Sequence, residues 1–237
     1  MKGTIIHRSA SRGHANHGWL DAHHTFSFAS YYNPEAIHFG VLRVLNDDVI
    51  AGGGGFGAHP HDNMEIITIP LSGALAHKDS MGNAEVIRAG DVQVMSAGTG
   101  IRHSEYNASE TEAINLLQIW LFPNKKDVEP RYGQITLDVA ERHNRLQQIL
   151  SPNADDEGVW IHQNAWFHMG NLDKGVELTY ELKDKTNGVY AFVIKGDVHI
   201  NGQELHMRDG MGIADSETLS IQADSDAEIL LMEVPMG

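Results

Sequence analysis

Short apolar runs alternate with turn signals along almost the whole chain. Strand-forming residues fill segments 64–71, 74–79, 114–122 and 189–194, and glycine, asparagine or aspartate stands between most of the apolar runs. Many short strands separated by such turns are typical of a β-barrel or β-sandwich. The sequence therefore predicts an all-β fold.

Two parts of the chain repeat one pattern. Residues 67–95 and 191–213 each run through a strand, a glycine turn, a strand, a Gly/Asn turn, a strand and an Asp/Gly turn. A repeat of this length indicates two related β-barrels in tandem. The charged, proline-bearing stretch 123–131 separates them, so we predict domains at residues 1–130 and 131–237.

Other segments carry weaker signals. Residues 4–7 are compatible with a strand, and the strand over residues 39–50 is expected to break at a turn formed by residues 46–48. Residues 138–150 have weak helical character. Residues 11–32 are rich in polar and aromatic side chains and predict a long ordered loop. Its histidines are expected to form hydrogen bonds, because their spacings do not form a second compact set of ligands: His14, His17, His23 and His24.

Composition excludes several classes of protein. The net charge of −15, from 17 basic and 32 acidic residues, opposes binding to nucleic acid but is compatible with a protein partner. The absence of cysteine excludes disulfides, thiolate zinc sites and cysteine nucleophiles. No secretion signal or membrane-length apolar run is present. We predict a cytoplasmic protein without a membrane partner.

Candidate chemistry is concentrated between residues 52 and 105. His59 and His61 follow a run of four glycines, and His103 and Glu105 follow a Gly-Thr-Gly sequence. Because residues i and i+2 of a strand share a face, each pair can point at one spot. Three imidazoles and a carboxylate form a site for a transition metal with open coordination positions.

Two other interpretations of the residues between 52 and 105 compete with the metal site. The chain has fifteen histidines, so four of them could lie on solvated loops. A phosphate-binding glycine loop is rejected, because no Gly-Lys-Ser/Thr sequence follows the glycine run. The second repeat has no matching His-x-His or His-x-Glu pair. The metal is therefore expected in the first barrel only, which leaves open a small-molecule pocket in the second.

Specific motifs resemble the pirin family over nearly the whole chain. They are His59-Pro60-His61, Asp79-Ser80-Met81-Gly82, the sequence 96–105 that ends in His103-Ser104-Glu105, and Leu117-Gln118-Ile119-Trp120. The spacing around the first of them also resembles a cupin motif. This resemblance implies a bicupin, in which two jelly-roll-type cupin barrels follow one another and only the first holds a metal.

The resemblance also implies the ligands, whereas the sequence does not identify the metal. The pirin resemblance implies that the metal ligands of this chain are His59, His61, His103 and Glu105. In ordinary cupins the carboxylate ligand comes from the first motif, which here would be Glu65. We expect Glu105 to bind the metal and Glu65 to stand behind the ligands or serve the structure. Iron(II) is the expected ion, and zinc, manganese, nickel, copper or cobalt would also suit these ligands.

Bacterial members of the family are similar to quercetin 2,3-dioxygenases, which open a flavonol ring with O₂ and release carbon monoxide. The implied function is therefore a metal-dependent dioxygenase with a flavonol-like substrate and O₂, and Glu105 as the catalytic base. Phe56, Met64 and Trp120 are either pocket walls or core residues, and Gln118 either lines the pocket or bonds along its strand. The alternatives are a metal-binding regulatory protein that binds a partner without turnover, and a cupin of another reaction type such as a sugar isomerase.

Overall fold

Strands dominate the computed structural model, which describes residues 3–237. The strands of the first half are β1 (Thr4–His7), β2 (Gly13–Asn16), β3 (Leu20–His24), β4 (Leu42–Ile50), β5 (Gly55–His61), β6 (Glu65–Ser72), β7 (Ala74–Asp79), β8 (Ala84–Arg88), β9 (Asp91–Ser96), β10 (Ile101–Asn107) and β11 (Ile114–Leu121). Those of the second half are β12 (Arg131–Thr136), β13 (Gln147–Ser151), β14 (Val159–Trp160), β15 (Trp166–Leu172), β16 (Glu177–Glu181), β17 (Asn187–Lys195), β18 (Val198–Ile200), β19 (Gln203–Leu205), β20 (Gly210–Ile213), β21 (Thr218–Ala223) and β22 (Ala227–Pro235). Two 3₁₀ helices, Ser9–Ser11 and Val139–Arg142, complete the regular structure of this range. No helix within it is long and apolar enough to cross a membrane.

The strands form two barrels, each built from a seven-stranded and a four-stranded sheet. The first barrel has the orders β12-β9-β6-β11-β4-β3-β2 and β5-β10-β7-β8. The second has the orders β1-β20-β17-β22-β15-β13-β14 and β16-β21-β18-β19. The repeated segments correspond strand for strand, since β6 to β9 take the same places as β17 to β20. The predicted all-β fold with two related barrels is confirmed.

Each barrel includes a strand from the other half of the chain. β1 pairs with β20 of the second barrel, with Thr4 opposite Ile213. β12 pairs with β9 of the first barrel, with Arg131 opposite Ser96. In space, β1 thus completes the second barrel and β12 completes the first. The division of the chain into domains at residue 130 stays a prediction.

A large apolar core lies between the two seven-stranded sheets. Leu45 and Leu117 of the first barrel belong to the same buried cluster as Phe167, Phe192 and Leu230 of the second. Because side chains alternate across a strand, the residues next to Leu45 and Leu117 point into the first barrel instead. This alternation fixes which side chains line the barrel interior.

The two interiors differ in polarity. Sixteen buried apolar residues form one cluster inside the second barrel. The first barrel has two smaller apolar clusters, one around Ile50 and Leu116 and one around Ile66 and Met95. Outside these two clusters, the first barrel also contains four buried polar side chains that matter for the site: His77, His103, Glu105 and Gln118.

Three local expectations are wrong. β4 runs unbroken from Leu42 to Ile50, because its polar residues pair with both β3 and β11. The expected helix over residues 138–150 is reduced to the turn Val139–Arg142, and Gln147–Ser151 pairs with β15 as a strand. Tertiary pairing thus overrides a weak helical preference. Part of the expected loop over residues 11–32 is the hairpin β2–β3, while residues 4–7 form the expected strand.

Candidate metal centre

Three histidines converge on one point inside the first barrel. β5 and β10 are antiparallel, and His59 lies directly opposite His103. His61 shares the face of His59, because it is two residues further along β5. The donor nitrogen atoms of the three side chains all lie within 4.8 Å of one another. Their ring centroids are 4.4 to 4.9 Å apart.

The hydrogen bonding of these rings fits a metal ion. Both ring nitrogens of His103 are buried and have no partner among residues 3–237. The Nδ1–H group of His59 donates to the carbonyl oxygen of Gly57 at 2.8 Å, which leaves its Nε2 lone pair free. A hydrogen bond from the other ring nitrogen to a backbone carbonyl group typically orients a metal-binding imidazole. A buried nitrogen without a partner is costly unless something binds it.

Glu105 lies beside this cluster rather than within it. A β-bulge between His103 and Glu105 shifts the register, so that Glu105 pairs with Phe56. One of its carboxylate oxygens lies within 4.8 Å of donor nitrogens of His103 and His77. His103 therefore belongs both to the group of three imidazoles and to the group that contains Glu105.

Burial sets the protonation of these side chains. Desolvation, together with the smaller effect of neighbouring imidazoles, lowers the pKa of His103 to about 2 and that of His61 to about 4. Both rings are therefore neutral at pH 7, which is the form that binds a metal. Desolvation also raises the pKa of Glu105 to about 7, against the opposite effect of its hydrogen bonds with Gln118.

Glu65 lies outside the donor groups. It precedes Ile66 on β6 and points away from the barrel interior, where it is 1% exposed. Its Oε2 accepts a hydrogen bond of 2.7 Å from the Ser96 hydroxyl group. Desolvation raises the pKa of Glu65 to about 7. Glu65 is therefore absent from the groups of candidate ligands found among residues 3–237, and its role behind the ligands or in the structure stays a prediction.

A cavity of about 430 Å³ opens beside the histidines. Its apolar lining comes from Trp19, Phe28, Phe56, Ile66 and Trp120, and its polar lining includes Asn46, Asp48 and Gln118 along with the donor residues. Phe56 and Trp120 thus line a pocket. Met64 does not line it, and packs instead against the cluster around Ile66 and Met95.

Several residues of this site are not among those that the sequence indicates. Asn46 and Asp48 lie in the expected turn over residues 46–48, although their separation by one residue is the signal of a shared strand face. Trp19 and Phe28 come from the segment expected to be a loop. His77 carries no motif in the sequence, and its ring centroid lies 5.3 Å from that of His103.

Two of the four N-terminal histidines, His14 and His24, form the expected side-chain hydrogen bonds. His14 Nε2 lies 2.7 Å from Asp21 Oδ1, and His24 Nδ1 lies 2.9 Å from Asn46 Oδ1. The prediction that their spacings yield no compact set is wrong for one group. The pairing of β2 with β3 brings donor atoms of His14, Asp21 and His23 within 4.8 Å of one another at a partly exposed edge.

The second barrel has a different interior. All groups of three candidate ligands found among residues 3–237 belong to the first barrel. In the second, the buried carboxylate of Glu233 accepts hydrogen bonds from the hydroxyl group of Tyr180 and from the backbone N–H groups of Lys183 and Asp184. Two further histidines of this barrel form hydrogen bonds with carboxylates, His199 with Asp224 and His206 with Asp197. A groove of about 810 Å³, lined in part by His168, lies on this half of the chain.

Comparisons with known proteins agree with this architecture. The family model described as Pirin matches residues 6–121, and that described as Quercetinase C-terminal cupin domain matches residues 148–234. The quercetin 2,3-dioxygenase of Escherichia coli K12 is 47% identical over 230 residues, which are 97% of this chain and 98% of that protein. This chain belongs to the pirin family. A pirin-like protein of Caulobacter vibrioides is 43% identical over 222 residues, or 93% of this chain and 95% of that one.

Solved structures confirm the bicupin fold of this pirin. The bacterial pirin YhhW from Escherichia coli, in complex with nickel(II), has a TM-score of 0.93 and 46% identity, covering 99% of this chain and 100% of that one. A quercetin 2,3-dioxygenase structure from Acinetobacter baumannii has a TM-score of 0.80 at 21% identity, covering 99% of this chain and 87% of that one, and supports the fold alone. The predicted family and the predicted pair of cupin barrels are therefore correct.

Proposed function

We propose that this pirin is a metal-dependent dioxygenase that opens the ring of a flavonol with O₂, as quercetin 2,3-dioxygenases do. The observation that carries the proposal is the convergence of three imidazoles, with Glu105 beside them, on an aromatic-lined cavity of about 430 Å³. The name of the Escherichia coli relative at 47% identity supports it. A cavity of this size suits a small aromatic molecule.

His59, His61, His103 and Glu105 are the proposed metal ligands. Imidazole and carboxylate ligands admit several divalent ions, so the composition of the site does not select one. Iron(II) stays a prediction, with zinc, manganese, nickel, copper and cobalt as alternatives. The similar Escherichia coli structure contains nickel(II). A divalent ion bound here would polarise the oxygen atoms of a flavonol and make its 3-hydroxyl group easier to deprotonate.

Residues around the donor cluster supply the remaining parts of the proposed chemistry. Glu105, with its pKa raised to about 7, is suited to take the proton of the substrate hydroxyl group at neutral pH. Gln118 donates to both Glu105 oxygens and so fixes the orientation of the carboxylate. Trp19, Phe56 and Trp120 offer aromatic surfaces against which flat rings can pack while water is excluded.

The test is O₂ uptake and carbon monoxide release with quercetin after loading with iron(II) or nickel(II). We expect turnover in the wild-type protein and its loss in His59→Ala, while His17→Ala, which changes an exposed histidine outside the cavity, retains it. One equivalent of bound metal without O₂ uptake would refute the dioxygenase proposal and favour the binding of a protein partner. Turnover without O₂ would favour a cupin of another reaction type. The cytoplasmic location and the absence of nucleic-acid and membrane partners stay predictions.

A further inference from the structure

Asp48 places an unpartnered carboxyl group on the lining of the cavity. The residue is 4% exposed, and its Oδ1 atom is buried without a hydrogen-bond partner among residues 3–237. It is nevertheless one of the residues that line the cavity beside the histidines. A buried polar atom in this state costs free energy unless a ligand or water satisfies it.

The neighbouring Asp47, unlike Asp48, has partners for both of its carboxylate oxygens. Asp47 points to the opposite face of β4, where Asn115 Nδ2 donates to its Oδ1 at 2.9 Å. Arg12 and Arg208 form ion pairs with its Oδ2 at 3.4 and 3.5 Å. The strand thus directs one carboxylate to a well-satisfied site between the barrels and directs Asp48 into the cavity.

The residues opposite Asp48 leave it without a partner. Its register partners on the adjacent strands are Ala22 on β3 and Leu116 on β11, and neither side chain can form a hydrogen bond. One step along the same face, Asn46 lies opposite Gln118. Asn46 accepts a hydrogen bond from His24 through Oδ1, and Gln118 donates to Glu105 through Nε2. Asp48 is therefore a carboxyl group of this row that is available to a ligand.

We propose that Asp48 determines substrate specificity by forming a hydrogen bond with a hydroxyl group on the ring system of the flavonol, other than the 3-hydroxyl group. This inference rests on the proposed function and extends it to the recognition of the substrate. Desolvation, together with the nearby Asp47 and Glu105, raises the pKa of Asp48 to about 8. A neutral carboxyl group can donate and accept a hydrogen bond, which suits a hydroxyl group and gives no advantage to a cation.

A site built in this way discriminates strongly between related substrates. An analogue that lacks the matching hydroxyl group leaves the buried carboxyl group unpaired, so it binds more weakly than loss of one contact alone would suggest. An apolar pocket without Asp48 would tolerate the loss of a hydroxyl group far better. The predicted signature is therefore selectivity among flavonols that disappears when Asp48 is replaced by an apolar residue.

The experiment measures binding to the full-length protein loaded with zinc, which does not support redox turnover. Quenching of tryptophan fluorescence reports quercetin and a series of flavonols that keep the 3-hydroxyl and 4-carbonyl groups but each lack one other hydroxyl group. Variants Asp48→Leu, Asp48→Asn and the exposed control Asp155→Asn are compared at equal metal content. We expect the wild type to bind one analogue at least about tenfold more weakly than quercetin, because the analogue forfeits one hydrogen bond and also leaves the buried carboxyl group unpaired.

Asp48→Leu should bind quercetin about tenfold more weakly and lose that selectivity, while Asp48→Asn and the control retain most of it. A wild type that binds all the analogues equally overturns the assignment of Asp48, even if Asp48→Leu fails to fold. A folded Asp48→Leu with the wild-type binding profile also overturns it. A wild type that binds no flavonol overturns the proposed function itself, and this assignment with it.

Discussion

The amide nitrogen of Gln118 lies 3.0 Å from Oε1 and 3.2 Å from Oε2 of Glu105, so one side chain donates to both oxygens of this buried carboxylate. The same amide also lies 3.2 Å from the hydroxyl oxygen of Thr68. Gln118 is therefore anchored on one side while it holds Glu105 on the other. The sequence leaves open whether Gln118 lines the pocket or bonds along its strand, and in the structure it lines the pocket.

Replacing Gln118 tests this relationship. Gln118→Met keeps the approximate volume but removes the donor, so the pKa of Glu105 should rise further and metal binding at pH 7 should weaken by about tenfold. Competition with a chelator of known affinity measures the change. An unchanged metal affinity in a folded Gln118→Met protein would show that Glu105 needs no support from Gln118.

Metal binding should depend on pH through Glu105 rather than through His61 and His103. A proton competes with the metal for Glu105 below about pH 7, whereas the pKa values of His61 and His103 are lowered to about 4 and about 2. The apparent affinity should therefore fall as the pH falls from 7 to 5, by about one logarithmic unit per pH unit. Isothermal titration at several pH values checks this slope. A slope well above one would instead indicate that protons compete for more ligands than Glu105.

The contribution of Asp48 to the stability of the metal-free protein should fall as the pH rises from about 4 to about 8. Asp48 holds its proton in the folded state up to about pH 8, whereas its ordinary value is 3.8, so in this window the folded state binds more protons than the unfolded state. Stability contributed by this group is then lost with rising pH. Asp48→Asn should remove that contribution, so its stability relative to the wild type should increase from pH 4 to pH 8.

Denaturant titrations of both proteins across this pH range measure the difference. Glu65 and Glu105 act in the same direction up to about pH 7, because their pKa values are also raised, and they are present in both proteins. The interval from pH 7 to pH 8 therefore isolates Asp48. A constant difference between the two proteins across the range would contradict the assignment.

His103→Ala should empty the metal site and leave the fold largely intact. Both nitrogens of His103 lack protein partners, so its removal breaks no hydrogen bond within the part of the chain that the structure describes. Metal analysis of the purified variant should give background content, with an unchanged circular dichroism spectrum. His168→Ala is the matched control, because His168 is also buried with an unpartnered nitrogen but lies in the second barrel. Loss of metal in the control alone would reverse the assignment of the two barrels.

Glu233 should matter for stability and not for chemistry. Glu233→Leu would leave the hydroxyl group of Tyr180 and the backbone N–H groups of Lys183 and Asp184 without an acceptor. Removing one member of such a buried network costs about 3 kcal/mol or more of unfolding free energy. Denaturant titration measures the loss, and metal content per folded molecule should be unchanged. An equally stable Glu233→Leu protein would mean that water satisfies these donors.

The sequence by itself determined the features that depend on local spacing. Alternating apolar residues and turns predicted the all-β fold, and the repeated pattern predicted the two barrels. The separation of His59 from His61 by a single residue placed both imidazoles on one face of a strand, which the structure confirms. These features follow from the two-residue period of a strand, which can be read without knowledge of its neighbours.

Only the tertiary structure decided the features that depend on pairing between distant strands. It placed β1 and β12 in opposite barrels, kept β4 continuous, and directed Asp48 into the cavity. It also separated Glu65, on the outer face of β6, from Glu105, which lies near His103 and His77 inside the barrel. The period of a strand defines two faces but does not say which face is enclosed. That choice is made by the register and the packing of strands far apart in the chain.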